Sequence, residues 1–339
     1  MKALRLSGPG RLAVEEVAGP GEPGPGEALI APRVGGICGT DLKLFRDGPR
    51  RGDAQILGHE VAAEVLAIGP GVEGIGPGDR VAVIPIVACG ECEMCREGRG
   101  ELCLGHQSFG IWHPWGGFGE RALVRASQLV PLPAGMGWDA AALVEPLCVA
   151  STGVTRGGLR PGGRVLILGG GPIAALAALH AEAAGAGELL VCERAPGRAA
   201  RIRALGFGVV APGVEDVAER CRELSGGLGF DLAVDCAGNP AAFATALAAL
   251  RPTGTVSIVG LHAEPVQFDA YDLLHRGLTI AAAVAYPLWA WRRRVEQVAA
   301  GRIEVERVVT ARRPLDEAPA AITGLADGSD DLKVLIDIP

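Results

Sequence analysis

The sequence has no long run of basic residues and no apolar run long enough to cross a membrane. Its formal net charge is −7, which argues against nucleic acid as the main partner. The longest apolar stretches, around 172–186 and 278–291, are interrupted by polar residues or proline and fall short of the roughly 18 residues that a membrane span requires. Residues 1–6 alternate like a β-strand and lack the apolar core of a secretion signal. We therefore expect small-molecule partners, with no nucleic acid and no membrane.

The number of cysteines is odd, so they cannot all pair in disulfides within the chain. There are nine, and four of them lie within fifteen residues, at 89–103. This arrangement favours metal binding in a reducing compartment over a framework of disulfides. The sequence therefore predicts a cytoplasmic protein.

Length and composition predict about two domains with sizeable cores. The chain has 339 residues, of which 49% are hydrophobic, and its 51 glycines and 24 prolines predict many tight turns. Short strands separated by Gly-Pro turns dominate residues 1–150. Beyond them, strands predicted at 164–168, 188–192, 207–210, 230–236, 254–260 and 278–284 alternate with helical stretches. The fold class is therefore α/β, with a β-rich region followed by a doubly wound parallel sheet.

The segments Cys38-Gly-Thr-Asp41 and Gly58-His59-Glu60 contain a thiol and an imidazole that folding can bring together. Both groups are suitable zinc ligands, and a catalytic zinc takes three protein ligands and leaves one position open. Alone, this pair is weak evidence for a metal site. It gains weight from two further motifs.

The first further motif is the spacing C-x2-C-x2-C-x7-C, formed by Cys89, Cys92, Cys95 and Cys103. Four thiolates so close in sequence can surround one tetrahedral zinc, as in a closed structural site. An iron-sulfur cluster is the alternative, but its usual spacing has a shorter last gap followed by proline. The spacing favours structural zinc.

The second further motif is the stretch Gly169-Gly-Gly171-Pro172-Ile173-Ala174, which follows a predicted strand and opens a predicted helix. It has the form G-x-G-x-x-A, a variant of the dinucleotide fingerprint. Glu193 ends the next strand, where a carboxylate can accept hydrogen bonds from the adenosine ribose. The N–H groups at the helix start are expected to face the pyrophosphate.

Together these segments resemble the zinc-dependent medium-chain dehydrogenase/reductase family, and most closely its polyol, butanediol and threonine dehydrogenase branch. The resemblance also covers Gly78-Asp-Arg-Val, Val144-Glu145-Pro-Leu and the closing strand at 333–338. It implies a GroES-like catalytic domain at 1–150, with a zinc lobe at 89–103, and a Rossmann domain at 151–287. Residues 288–339 are expected to return to the catalytic domain. The resemblance further implies a homodimer or homotetramer formed through edge strands at about 278–285.

The resemblance also implies the catalytic zinc ligands. These are Cys38, His59 and a third ligand that the branch takes from its Glu-Pro-Leu motif, here Glu145. Cys148 is an alternative, because it lies in a segment similar to that in which animal alcohol dehydrogenases place a cysteine ligand. We expect Glu145, since its motif belongs to the branch that the rest of the chain resembles. Glu60 corresponds to a glutamate beside the metal that can approach it when water leaves.

Proton transfer is implied to begin at Thr40. The branch often carries histidine in C-G-x-D-x-H, where this chain has Lys43. We therefore expect proton transfer through Thr40 and water, with Lys43 facing solvent, the ribose or a polar substrate. Trp112 and Trp115 lie in an aromatic, Gly-rich loop at 108–125 that predicts either a small satellite core or a wall of the substrate site.

The choice of cofactor depends on charges after the second Rossmann strand. Glu193 favours NAD, because a carboxylate repels a 2′-phosphate, whereas Arg194 and Arg198 can pair with that phosphate of NADP. We expect NAD, and Leu261 is a further expected cofactor contact. The predicted function is a zinc- and NAD-dependent dehydrogenase of a polyol, vicinal diol or cyclitol-like alcohol. The alternatives are a biosynthetic sugar or aminocyclitol dehydrogenase, NADP-linked, and a non-catalytic protein that binds zinc and dinucleotide.

Overall fold

The chain divides into two units, each assembled from separate segments of the sequence. The computed structural model describes residues 1–50, 52 and 54–339. The first unit comprises Met1–Glu145, Pro287–Gly301 and Val309–Pro339, and the second comprises Pro146–Tyr286 and Arg302–Val308.

The strands and helices are numbered in chain order. The strands are β1 (Lys2–Gly8), β2 (Arg11–Glu16), β3 (Glu27–Gly36), β4 (Gln55–Ile56), β5 (Glu60–Ile68), β6 (Arg80–Val83), β7 (Ile86–Val87), β8 (Gln107–Ser108), β9 (Ala122–Arg125), β10 (Leu129–Pro131), β11 (Arg164–Leu168), β12 (Glu188–Cys192), β13 (Gly208–Val210), β14 (Phe230–Asp235), β15 (Leu250–Ile258), β16 (Thr279–Ala282), β17 (Val309–Pro314) and β18 (Lys333–Asp337). The helices are α1 (Gly39–Asp47), α2 (Glu93–Arg96), α3 (Trp138–Ala142), α4 (Val144–Arg156), α5 (Pro172–Ala183), α6 (Pro196–Ala204), α7 (Val217–Leu224), α8 (Pro240–Ala249), α9 (Ala270–Arg276), α10 (Ala290–Ala299) and α11 (Ala318–Ala326).

The first unit is built around a sheet in the order β10-β6-β5-β3-β18-β17, with β9 also paired to β3. A smaller sheet has the order β2-β1-β4, and β7 pairs with β8. Ile30, Val65 and Val83, from three neighbouring strands of the main sheet, are fully buried in one cluster. The segments that carry Cys38 and His59 contribute to a second buried cluster, which contains Ile37, Leu44 and Leu57.

The second unit contains a parallel sheet in the order β13-β12-β11-β14-β15-β16. Its central strand β11 has its residues 165–168 fully buried, as expected for a parallel strand covered on both faces. The helix α5 is apolar all round and is buried over 174–181. The predicted α/β fold class with a doubly wound parallel sheet is confirmed.

The structure differs from the sequence prediction around β15, which begins at Leu250 rather than at Gly254. The pairing with β14 is irregular here, because Leu250 lies opposite Phe230 while Thr255 lies opposite Leu232. Regular pairing begins at Thr255, within the stretch 254–260 that the sequence predicts as a strand.

The aromatic loop at 108–125 contributes to the core of the first unit. Phe109 and Phe118 are 1% and 0% exposed, and Trp115 packs against the same cluster as Phe109. Trp112 is exposed and lies beside His106, with the ring centres 5.1 Å apart. The buried aromatic residues of this loop therefore join two main clusters of the first unit and do not form a separate satellite core.

A buried ion pair ties the last strand of the first unit to β5. Lys333 Nζ donates to both carboxylate oxygens of Glu60, at 2.7 and 2.6 Å, and to the Ile37 carbonyl oxygen at 2.9 Å. The side chains of Lys333 and Glu60 are both 0% exposed. Gly36 provides the space, because a Cβ there would lie 2.0 Å from Glu60 Oε2.

We expect Lys333→Met to lower the free energy of unfolding by about 3–5 kcal/mol, because it leaves the Glu60 carboxylate buried without its cation. Urea-induced unfolding, followed by circular dichroism, measures the change.

The matched control is Lys2→Met, which removes an exposed ion pair with Asp316 at 3.2 Å and should cost less than about 1 kcal/mol. The double variant Lys333→Met/Glu60→Gln should recover part of the loss. An equal decrease in the free energy of unfolding in the Lys2 and Lys333 variants would contradict the expected larger contribution of the buried pair.

Candidate metal centres and dinucleotide site

The turn at 38–41 presents the Cys38 sulfur beside a hydroxyl group. The Asp41 carboxylate accepts the backbone N–H of Cys38 at 2.9 Å, which closes the start of α1 in the manner of a capping box. The Thr40 hydroxyl oxygen lies 3.7 Å from the sulfur. The local sequence therefore fixes where the sulfur and the hydroxyl lie relative to each other.

His59 reaches the same place because it directly precedes β5. The ligand atoms of Cys38, His59 and Glu60 lie within 4.8 Å of one another. His59 Nδ1 lies 3.6 Å from Asp41 Oδ1, and neither atom has a hydrogen-bond partner among the described residues. The structure thus brings together the cysteine, the histidine and the neighbouring glutamate that the sequence singles out.

The surroundings of His59 favour a positive charge. Burial lowers the pKa of His59, but the negative charges of Cys38 and Asp41 raise it by more, so the pKa lies well above its usual value. A cation meets the same attraction as a proton, and sulfur with imidazole is a donor set that zinc accepts. These residues therefore fit a zinc ion.

Lys333 adds a fixed positive charge to this site. Burial lowers its pKa, but the charges of Glu60 and Cys38 raise it by more, so Lys333 stays protonated. The ion pair fixes the Glu60 carboxylate beside the cysteine and histidine.

The two candidates for the third ligand lie on the same helix. Glu145, in the first turn of α4, is 7% exposed and its charge raises the pKa of Lys333. It is not part of the group of mutually close ligand atoms formed with Cys38 and His59. Cys148 is buried, and its carbonyl oxygen accepts the hydroxyl groups of Ser151 and Thr152.

The four clustered cysteines converge on one point. Their sulfur atoms all lie within 4.8 Å of one another, with Cys92 to Cys95 at 3.5 Å and Cys92 to Cys103 at 3.9 Å. Four sulfurs at the usual zinc–sulfur distance around one tetrahedral ion would be about 3.8 Å apart. The arrangement therefore fits a single zinc ion.

Backbone N–H groups stabilise negative charge in this cluster. The N–H of Cys89 donates to the Cys103 sulfur at 3.2 Å, and that of Cys92 donates to the Cys89 sulfur at 3.3 Å. Hydrogen bonds from the backbone of Leu104 and Cys95 lower the pKa of Cys92 to about 6. Burial raises the pKa of Cys95 in the same cluster to about 12, so the thiolate, the form that binds metal, is favoured at Cys92 and not at Cys95.

The glycine-rich turn between β11 and α5 offers open backbone groups. Gly171 caps α5 in an extended conformation without a side-chain cap, and a Cβ there would meet nothing within 4 Å. An uncapped helix start with room beside it suits a pyrophosphate. Pro172 and Ile173 form the first turn of α5.

Glu193 is buried at the end of β12. Its carboxylate accepts the N–H groups of Gly170 and Ala195, both at 2.6 Å. The carboxylate therefore braces the glycine-rich turn. Arg194 is exposed and Arg198 is half-buried.

The other predicted contacts lie near the surface. Lys43 is exposed and pairs with Asp47 at 3.3 Å across one turn of α1. Leu261 is 77% exposed. The roles of these residues, and of Trp112 and Trp115, stay predictions.

Sequence reasoning missed two residues of the cysteine-histidine site. Asp41 belongs to the Cys38-Gly-Thr-Asp41 motif, and the signal for its role is that an acid three residues after a helix cap indicates a capping box. Lys333 opens the closing strand, and the signal for its role is that a lysine at the start of a buried apolar run requires a partner.

Comparisons with known proteins identify the family. Residues 24–134 match the family described as alcohol dehydrogenase GroES-like domain, and residues 172–300 match zinc-binding dehydrogenase. L-threonine 3-dehydrogenase from Pyrococcus horikoshii is 36% identical over 296 residues, covering 85% of this chain and 84% of that protein. The chain belongs to the zinc-dependent medium-chain alcohol dehydrogenase family.

Two further relatives of this alcohol dehydrogenase span nearly its whole length. Sorbitol dehydrogenase from Bacillus subtilis is 33% identical over 322 residues, which cover 91% of this chain and 90% of that protein. The crystal structure of a zinc-binding dehydrogenase from Sinorhizobium meliloti bound to NADP has a TM-score of 0.92 and 34% identity, and covers 99% and 98% of the two chains.

Family membership confirms the predicted resemblance and the GroES-like and Rossmann folds. The protein is an enzyme of zinc-dependent alcohol oxidoreduction, with zinc and a nicotinamide dinucleotide as cofactors. The non-catalytic alternative is therefore not supported. Among the described residues, no helix combines the length and the apolar character that crossing a membrane requires.

We expect Cys95→Ser to lower the zinc content of the purified dehydrogenase from two ions per chain to one, because it removes one of four sulfur ligands from one of the two clusters. Atomic absorption measures the content. Cys221→Ser is the control, since Cys221 is a buried thiol outside both clusters. An unchanged zinc content in the Cys95 variant would show that this cluster does not bind the ion.

Proposed function

We propose that this dehydrogenase transfers hydride between NAD and a secondary alcohol of the polyol, vicinal diol or cyclitol class. The observation that carries the proposal is the convergence of the Cys38, His59 and Glu60 ligand atoms within 4.8 Å. The threonine and sorbitol dehydrogenases among its relatives support a small hydroxyl-bearing substrate.

Cys38, His59 and Glu145 would hold the catalytic zinc, and Cys89, Cys92, Cys95 and Cys103 a structural zinc. Zinc, when bound, supplies a positive charge that makes an alcohol more acidic. Asp41 places a negative charge beside the His59 ring, since its carboxylate oxygen lies 3.6 Å from Nδ1. Lys333 fixes the Glu60 carboxylate beside the two ligands.

Thr40 would take the proton that leaves the alcohol. Its hydroxyl group lies 3.7 Å from the Cys38 sulfur and can both donate and accept a hydrogen bond. Lys43 is exposed and paired with Asp47, which supports transfer from Thr40 to water without Lys43. Trp112 and Trp115 stay candidates for substrate contacts.

NAD is the proposed cofactor because Glu193 places a negative charge at the end of β12, where an NADP phosphate would be repelled. The turn at Gly169 and Gly171 and the start of α5 would hold the pyrophosphate, and Leu261 would contact the nicotinamide half. The buried ends of β11 and β12 support this placement.

An NADP-linked sugar or aminocyclitol dehydrogenase is the second candidate. It is favoured by the engagement of the Glu193 carboxylate with two backbone N–H groups, while Arg194 beside it is exposed. A relative that binds NADP adds support.

The proposed domains are 1–150, 151–287 and 288–339, as the resemblance implies. We also propose a homodimer or homotetramer that forms through the edge of the parallel sheet near β16.

We propose a cytoplasmic location, because nine cysteines are present without a disulfide among the described residues.

The test of the function is a panel of polyols, diols, cyclitols and amino alcohols, assayed with zinc-loaded protein by absorbance of the reduced cofactor. We expect oxidation that a chelator abolishes, with higher kcat/KM for NAD than for NADP. Thr40→Ala should lower kcat about 100-fold, because general acid–base catalysis typically contributes that much.

Lys43→Ala is the matched control on the same helix and should match the wild-type rate and pH profile. A Thr40 variant with full activity would remove the proton path. A preference for NADP would favour the second candidate function, and the absence of activity on the whole panel would reject the proposed substrate class.

The third zinc ligand can be tested by comparing two variants of α4. We expect Glu145→Ala to lose the catalytic zinc and about 100-fold in activity, because loss of a ligand or its support typically weakens metal binding strongly. Cys148→Ala should keep both. Zinc content and kcat are the measurements, and the reverse pattern would make Cys148 the ligand.

A further inference from the structure

A buried carboxylate joins two turns at one end of the parallel sheet. Asp235, the last residue of β14, is 0% exposed. Its Oδ1 accepts the N–H groups of Ala237 and Gly238, both at 3.0 Å. Its Oδ2 lies 2.8 Å from Nε2 of His262, which follows β15. A carboxylate accepts, so the histidine donates this hydrogen bond.

The two turns also touch through their backbones. The N–H groups of Val259 and Gly260 donate to the Asp235 carbonyl oxygen at 2.9 and 2.8 Å. Gly238 has φ +64°, and a Cβ there would lie 2.8 Å from the Leu261 carbonyl oxygen. The position of the turn at 260–261 therefore depends on the turn that Asp235 holds.

His262 has few other means of fixing its position. Its ring meets Phe243 edge-on, with the ring centres 6.3 Å apart, and its side chain is 14% exposed. Nδ1 is buried and has no hydrogen-bond partner among the described residues. A buried nitrogen does not contact a ligand directly, so His262 acts through the turn that it anchors.

The location gives this anchor a function. The sheet order β13-β12-β11-β14-β15-β16 consists of two halves that meet between β11 and β14. In such sheets a dinucleotide binds at the carboxyl ends of the strands, with one mononucleotide over each half. The glycine-rich turn after β11 and Glu193 after β12 mark the adenosine half. The ends of β14 and β15, with exposed Leu261, therefore belong to the nicotinamide half.

We propose that the Asp235–His262 pair holds the turn at 260–261 in place and thereby positions the nicotinamide half of the cofactor. His262 is a positioning residue in this assignment. The inference rests on the proposed dinucleotide site and adds to it the residue pair that sets the geometry of one half.

The test compares the binding of NADH with that of ADP-ribose, which lacks the nicotinamide, and so measures the two halves of the site separately. We expect His262→Leu to weaken NADH binding about ten-fold, as loss of a hydrogen bond to a charged group does, and to reduce the fluorescence enhancement of bound nicotinamide. Binding of ADP-ribose, which lacks nicotinamide, should stay unchanged. His262→Gln should restore NADH binding, because its side-chain amide can donate to Asp235.

His275→Leu is the control, since His275 is an exposed histidine of the same unit that contacts Tyr271. If His262→Leu does not fold, His262→Phe removes the donor while keeping a ring against Phe243, and the same result is expected. Unchanged NADH binding would overturn the proposal. Equal weakening of NADH and ADP-ribose would overturn it too, because the pair would then be purely structural.

The wild-type protein distinguishes this inference from the proposed function. If it binds both NADH and ADP-ribose but the His262 variants do not show the expected changes in binding, only the Asp235–His262 assignment is overturned. If it binds none of NADH, NADPH and ADP-ribose, the proposed dinucleotide site is wrong and the assignment falls with it.

Discussion

The ion pair between Lys333 and Glu60 is the constraint on which the cysteine-histidine site depends. Two fully buried charges are stable only as a pair with further hydrogen bonds, and the Ile37 carbonyl oxygen supplies one. The pair joins β18 to β5 across β3, the strand that leads into Cys38. The position of the metal ligands therefore depends on the strand order, which brings Lys333 to Glu60, and on the absence of a side chain at Gly36, which leaves room for the Glu60 carboxylate.

Charge explains why these particular residues surround the site. Cys38, Asp41 and Glu60 bring negative charge into a buried region, which Lys333 offsets in part. The negative charges of Cys38 and Asp41 raise the pKa of His59, and the same charges favour a cation. The zinc lobe at 89–103 favours a cation by a different means, because backbone N–H groups donate to the sulfur atoms of Cys103 and Cys89 and stabilise negative charge there. One site depends on distant parts of the chain, and the other is made within a single loop.

The sequence predicted those features that depend on neighbouring residues. β11 and β12 begin and end where their apolar runs do, and the four-cysteine spacing led directly to the cluster. The Lys333–Glu60 and Asp235–His262 contacts could not be predicted in this way, because each joins residues whose proximity follows from strand order. The position of Glu193 was predicted, but its bonds to the N–H groups of Gly170 and Ala195 were not, because they depend on the path of the turn.

The closing strand has a consequence for how the polypeptide is made. Glu60 and Lys333 are 273 positions apart, and the whole parallel-sheet unit is translated between them. A ribosome therefore makes the partner of the buried glutamate only after the parallel-sheet unit has been translated and has had time to fold. Until then residues 34–36 of β3 lack their β18 neighbour, and unpaired strand edges of this kind make nascent proteins prone to aggregation, against which chaperones act.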